Sequence, residues 1–226
     1  MSALLTINCI AAQEPRAEFD AEVLPRLLTR WQGASELVHL SSADALPSPD
    51  AFSHLLLTGS ELSAAQDNPR DAELMDCIRS FVEARRSVYG ICYGHQMLAR
   101  ALGGACRRAE RPEFGWRRVR HAANGLWEGL DDLIVVHSHY DEVHALPAEF
   151  DVIASTPDCA VQAFQWRDSP VWGTQFHAEF SGRLGNAMLR DNLRSEPLAA
   201  SHWRDEFDDP WRPEWNLRIF ENFFES

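Results

Sequence analysis

Residues 87–104 read SVYGICYGHQMLARALGG, and no other segment narrows the fold so far. Ser87 to Ile91 is a short apolar run of the kind that forms a buried strand. Gly90 and Gly94 flank Cys92 at two residues on each side. That spacing is the G-x-nucleophile-x-G elbow, a sharp strand-to-helix turn that lifts a nucleophile above a sheet. The glycines carry no Cβ, so neighbouring backbone can approach the turn closely. A helix is predicted from Gly94 to Leu102, stopped by Gly103-Gly104. Cys92 then stands at the positive end of that helix, which favours the thiolate, the nucleophilic form of the side chain. A buried structural thiol is the plain alternative, and the flanking glycines argue against it.

Elsewhere strand-like and helix-like segments alternate. Strands are predicted at Leu4 to Ile10, Glu36 to Leu40 and His54 to Leu57, the last stopped by Thr58-Gly59-Ser60. Phe19 to Trp31 has helical spacing, with Pro25 as a kink or start. A further helix begins with Asn68 as N-cap, Pro69 at its first position, and Asp71 and Glu73 near its positive end. Leu74, Cys77, Ile78, Phe81 and Val82 form its buried stripe. After residue 104 short strands follow: Ala105 to Ala109, Trp116 to Arg120, Leu133 to His137, Val152 to Ser155, Ala160 to Gln165 and Val171 to Phe176. Helices at Arg183 to Arg194 and Glu214 to Phe224 enclose a Trp-, Asp- and Pro-rich loop, Ser201 to Pro213. Alternating strands and helices imply an α/β fold with a mainly parallel sheet, helices on both faces and a small β-rich extension. The reading is one domain over residues 1–226, with a C-terminal helical elaboration at 181–226.

The net charge is −13, and the sequence contains no Lys. That balance argues against wrapping nucleic acid, which needs clustered cations. The basic cluster Arg107, Arg108, Arg111, Arg117, Arg118 and Arg120 is interleaved with Glu110 and Glu113, and reads as a solvated hairpin face. No stretch approaches the roughly 20 apolar residues of a membrane span. The first residues lack the basic start of a secretory signal, so a cytoplasmic, reduced chain is expected. Cys9, Cys77, Cys106 and Cys159 are expected to be small apolar core residues without a disulfide framework. His137, His139 and His144 lie close in sequence but lack a matching ligand set, so no metal is expected. The loop with His202, Trp203, Trp211 and Trp215 reads as a lid or an interface in one alternative, but its indoles are expected to pack the C-terminal helix onto the body.

A cysteine nucleophile needs a base, and the base needs an orienting group. Residues 171–180, VWGTQFHAEF, end an apolar strand with His177, followed two residues later by Glu179. Alone, His-x-Glu is a weak signal. Together with the elbow it becomes specific.

GICYGHQ followed by GTQFHAEF resembles the class I glutamine amidotransferases. The resemblance runs from about residue 36 to residue 180. It implies a flavodoxin-like α/β fold and hydrolysis of a glutamine side-chain amide through a γ-glutamyl thioester, without a cofactor. Cys92 is then the nucleophile, His177 the general base and acid, and Glu179 the orienting carboxylate. Gly59, Ser60 and Tyr93 match the positions whose backbone N–H groups form the oxyanion hole. Gln96 matches the family glutamine that contacts substrate. VVHSHYDEVHALP resembles the loop that holds the substrate's amino and carboxylate groups, which makes Ser138, His139, Tyr140 and Asp141 candidates. Two departures are Glu61, where the family turn often carries Pro, and Ala178, another frequent Pro position.

No G-x-x-x-x-G-K-[ST] motif occurs, so a complete P-loop amidating enzyme is excluded. Three readings remain. The first is a stand-alone hydrolase of glutamine or another γ-glutamyl compound. The second is a glutaminase subunit that passes ammonia to a separate synthetase partner. The third is a non-catalytic regulatory module of the same fold, ranked last because Cys92, His177 and Glu179 are all present.

Overall fold

The computed structural model describes residues 2–42, 44–195, 197–205 and 212–226. Four strands form a parallel core: β1 (Ala3–Asn8), β2 (Ala34–His39), β3 (His54–Leu57) and β4 (Ser87–Ile91). Five more complete one sheet: β5 (Ala105–His121), β6 (Leu133–Ala145), β7 (Phe150–Ser155), β8 (Ala163–Trp166) and β9 (Val171–Thr174). The order is β2-β1-β3-β4-β9-β8-β7-β5-β6. Only the pairings from β2 through β9 are parallel; those from β9 through β6 are antiparallel. The sheet is therefore mixed, not mainly parallel as the alternation implied. What read as a small extension is half of it.

The parallel half buries both faces, as its continuous apolar strands require. Leu4, Leu56, Tyr89 and Ile91 point to one side, against Phe19 and Val23 of the wide-turned segment Phe19–Val23 and against Leu24 and Leu27 of Leu24–Leu28 (α2); Gln13–Glu18 (α1), just before them in the chain, buries no residue. Leu5, Ile7, Leu55, Leu57 and Val88 point to the other, against Asp71–Glu83 (α3) and Tyr93–Ala101 (α4). In α3 the predicted stripe is buried at Leu74, Cys77, Ile78 and Phe81. The helix starts later than the caps implied. Asn68 instead donates its backbone N–H to Asp71 Oδ2 and accepts from the Asp71 N–H through its carbonyl.

Gly182–Ser195 (α5) covers the β5–β6 hairpin through Leu189, against Trp116, Ile134 and Val136. Leu217–Phe224 (α6) lays Phe220 and Phe223 against Tyr89, with ring centroids 5.6 and 5.5 Å apart. At the chain end, Ser226 Oγ donates to Ser87 Oγ at 3.0 Å, at the start of β4. Trp203 packs beside α5 and donates to Asp205 at 2.9 Å, whereas Trp215 is exposed. The indoles thus do not act as one packing layer; Trp211 lies outside the described residues. Among the described residues no helix is long and apolar enough to cross a membrane.

Two predicted strands, Ala105 to Ala109 and Trp116 to Arg120, are one strand, β5. Its register breaks between Arg108 and Glu113, which accommodates Pro112, and Gly115 takes φ 104°. The solvated-face reading also fails for two residues. Glu113 and Arg117 lie on one face of β5 and are fully buried. The segment HSHYDEVHA, read as a loop, continues β6 to Ala145. Its polar residues masked the alternation because His137, His139 and Asp141 are buried polar groups.

Candidate active site

Cys92 sits between β4 and α4 with φ 51° and ψ −104°. A non-glycine residue in this region stores about 1–3 kcal/mol of strain, and persists only where its surroundings enforce it. Three backbone bonds do so. Cys92 N–H donates to the Thr174 carbonyl at 2.8 Å, Gly94 N–H to Thr58 at 3.1 Å, and Gln96 N–H to Cys92 itself at 3.0 Å. The elbow rests directly on β3: a Cβ on Gly94 would lie 2.6 Å from Leu57 Cβ and 2.7 Å from its carbonyl oxygen. Gly94→Ala is therefore expected to cost about 1–3 kcal/mol and lower the Tm by several degrees in thermal unfolding. An unchanged Tm would mean that β3 gives way at no cost.

His177 follows β9 and is pinned by backbone pairing with Val136, its N–H donating at 2.8 Å and its carbonyl accepting at 3.2 Å. Its Nδ1 lies 2.7 Å from Glu179 Oε1. Burial disfavours a charged imidazole, but Glu179 and the adjacent Cys92 sulfur outweigh it, and the ring is pushed up to about 10. The charged ring is thereby favoured over the neutral one, with Glu179 on one side and the Cys92 sulfur on the other. The other cysteines lack such a neighbour. Burial pushes the Cys9 thiol up to about 12 and Cys77 up to about 11. They are free thiols, and Cys106 is only half-buried.

Gly59 borders the side chains of both Cys92 and His177. A Cβ there would stand 3.0 Å from His177 Cε1 and 3.5 Å from Cys92 Cβ. Ser60 holds the turn by accepting from the Leu62 N–H at 3.2 Å. Tyr93 opens α4 beside the sulfur, and its phenol, donating to Asp71, ties α4 to α3.

Gln96 donates through Nε2 to the Asp141 carbonyl at 3.0 Å and to Gln175 Oε1 at 2.9 Å. Both of its N–H bonds are thus used within the protein. The four β6 candidates divide. Ser138 accepts from Asn192 of α5, and Tyr140 lies under the Arg108 guanidinium at 4.1 Å. His139 and Asp141 turn inward. Asp141 accepts from Ser63, and His139 places Nδ1 3.1 Å from the Asp141 carbonyl and Nε2 3.0 Å from Glu113. Their side chains are committed to the protein interior.

Glu113, His137 and His139 form a buried cluster, with possible ligand atoms within 4.8 Å of one another. His144 is exposed and apart from it. Arg117 Nη1 lies 2.6 Å from Glu113 Oε1, while the two imidazoles face Oε2. Thr156 Oγ1 donates to the same carboxylate at 2.8 Å, as does Gln162. Burial raises the Glu113 carboxyl, but His137 and His139 more than reverse this and hold it far below the usual carboxylate range.

Sequence reasoning missed Arg26, which donates from α2 to the Glu179 carbonyl at 2.6 Å. It also missed Gln175, although that residue adjoins Phe176-His177 in the motif already singled out.

Comparison with known proteins agrees with this geometry. The family model "Glutamine amidotransferase class-I" matches residues 57–195. Aminodeoxychorismate synthase of Streptomyces griseus is 38% identical over 158 residues, 69% of this chain and 21% of that protein. A glutamine-hydrolyzing GMP synthase subunit of Methanocaldococcus jannaschii is 34% identical over 119 residues, 51% of this chain and 63% of that one. The chain thus spans less than two thirds of either relative. A solved glutamine amidotransferase from Methylobacillus flagellatus shares the fold at TM-score 0.77 and 23% identity, covering 100% of this chain and 95% of that one. The elbow and the His177–Glu179 pair both fall inside the matched region, and the chain belongs to the glutamine amidotransferase class-I family.

Proposed function

We propose that this chain hydrolyses a γ-glutamyl amide, either glutamine or another γ-glutamyl compound, through a thioester on Cys92, and that it does so without a partner. The observation that carries the reading is the His177 ring, held between Glu179 and the sulfur of a strained elbow cysteine. All three groups come from one chain.

The thiolate of Cys92 attacks the γ-carbonyl, its proton having passed to His177. Backbone N–H groups at Gly59, Ser60 and Tyr93 take the developing oxyanion, a role worth about 3 kcal/mol per donor. His177 returns the proton to the leaving amine. Water then adds to the thioester, with His177 as base. Glu179 keeps Nδ1 protonated and the ring in place.

The test is release of ammonia and glutamate from free glutamine by the purified chain. His177→Ala is expected to lower the rate by about a thousandfold or more, and Glu179→Ala by less, because the second substitution leaves the base in place. The reverse order would remove the orienting role from Glu179. A second reading is favoured by the relatives, since in two of them the glutamine-hydrolyzing GMP synthase chain is a separate subunit. Under it, release is slow alone and rises when a synthetase partner is added.

A further inference from the structure

Within GTQFHAEF the Gln175 side chain has no part in the steps above. Gln175 is fully buried, and its Nε2 lies 3.6 Å from the Cys92 sulfur. Its backbone N–H is held by the Gln162 carbonyl at 2.8 Å.

The direction of the amide follows from its neighbours. The Asp141 main-chain carbonyl only accepts, so the end of Gln96 that faces it is the NH2 group. The same nitrogen lies 2.9 Å from Gln175, so Gln175 must meet it with oxygen. That turns the Gln175 nitrogen toward the sulfur. The flipped amide would set NH2 against NH2 and a carbonyl oxygen against a thiolate, two repulsive contacts.

We propose that Gln175 is a catalytic residue whose carboxamide N–H bonds to the Cys92 sulfur whenever that sulfur carries negative charge, including when it leaves the thioester. The inference rests on the reading of Cys92 as nucleophile. In the second half-reaction water adds its oxygen to the thioester carbonyl, and His177 takes one water proton. The C–S bond then breaks and its electron pair goes to sulfur. The products are a carboxylic acid, the Cys92 thiolate and the His177 imidazolium. A donor aimed at sulfur stabilises the group on which charge is building.

The experiment is alkylation of Cys92 by iodoacetamide across a pH series, read by mass spectrometry of the Cys92 peptide. Wild type, Gln175→Leu and Gln175→Glu are compared, each with a circular dichroism spectrum. His177, backed by Glu179, faces the sulfur in all three. Gln175→Leu is expected to move the acid limb of the profile up by about one pH unit, a tenfold loss of thiolate at a given pH. The plateau rate at high pH stays the same. Gln175→Glu keeps the bond from Gln96 but replaces the donor with a charge, and is expected to move the limb further. A displaced sulfur would alter the plateau instead and leave the limb in place. With glutamine, quenched Gln175→Leu is expected to carry more γ-glutamyl thioester than wild type, with kcat lowered about tenfold and kcat/KM changed less.

A Gln175→Leu limb that coincides with that of wild type overturns the proposal, whatever Gln175→Glu does. A shifted Gln175→Leu limb supports it even if wild type releases no ammonia, an outcome that would instead remove the hydrolytic function proposed above.

Discussion

Cys92→Ala is expected to lower ammonia release from glutamine by about ten-thousandfold or more while leaving the chain folded. No other nucleophile stands at the elbow, and without sulfur no thioester forms. The backbone donors remain, so a small residual rate over water survives. Alanine keeps the Cβ and the same positive φ, and the three backbone bonds around the elbow do not involve the side chain. The change in stability should stay near 1 kcal/mol, a few degrees in Tm for a chain of this size. Parallel measurement of ammonia release and thermal unfolding separates chemistry from folding. Release at the wild-type rate would place the nucleophile elsewhere and sink the proposed mechanism.

The largest effect on stability is expected from Glu113→Ala. The carboxylate is sealed inside the β5–β6 hairpin and accepts from Arg117, His139, Thr156 and Gln162. Removing it leaves Arg117 buried with Asp158 as its remaining acidic partner, at 2.8 Å. Breaking one side of a buried ion pair costs about 3–5 kcal/mol, which corresponds to roughly 10 °C in Tm. The effect depends on pH in a defined direction. In the folded chain the carboxyl titrates far below its ordinary value of 4.5, so the unfolded chain binds the proton first. The stabilisation is present above pH 4.5 and is lost as pH falls below it. The Tm gap between wild type and Glu113→Ala should therefore narrow in acid. A gap that widened there would mean that the carboxyl is already protonated in the fold.

Local signals were the legible ones. The Gly90–Cys92–Gly94 spacing, the stripe from Leu74 to Phe81 and the run His54 to Leu57 each report a backbone arrangement complete within a few residues. The antiparallel half was less legible because its strands bury polar side chains. His137, His139 and Asp141 break the apolar alternation of β6, so the strand looked like a loop. Glu113 and Arg117 looked solvated for the same reason: a residue type reports its usual environment, whereas their partners come from β6 and from Thr156 and Asp158. In the site, the order of the two motifs along the chain pointed to Cys92, His177 and Glu179. The Gln96–Gln175 pairing depends on two elements meeting in space, which spacing along one chain does not reveal.

The bond between Ser226 and Ser87 bears on how the chain can be joined to other things. Ser87 opens β4 and Cys92 follows its far end, so Ser226 and Cys92 are separated by the length of that strand, roughly 16 Å. β1 runs parallel through β3 to β4, which puts Ala3 on the same rim as Ser226. A tag, a tether or a solid support attached at either residue leaves from the rim away from the sulfur, and the approach to Cys92 stays open. A domain linked through Ser226 would have to reach around the sheet to capture anything released at the elbow.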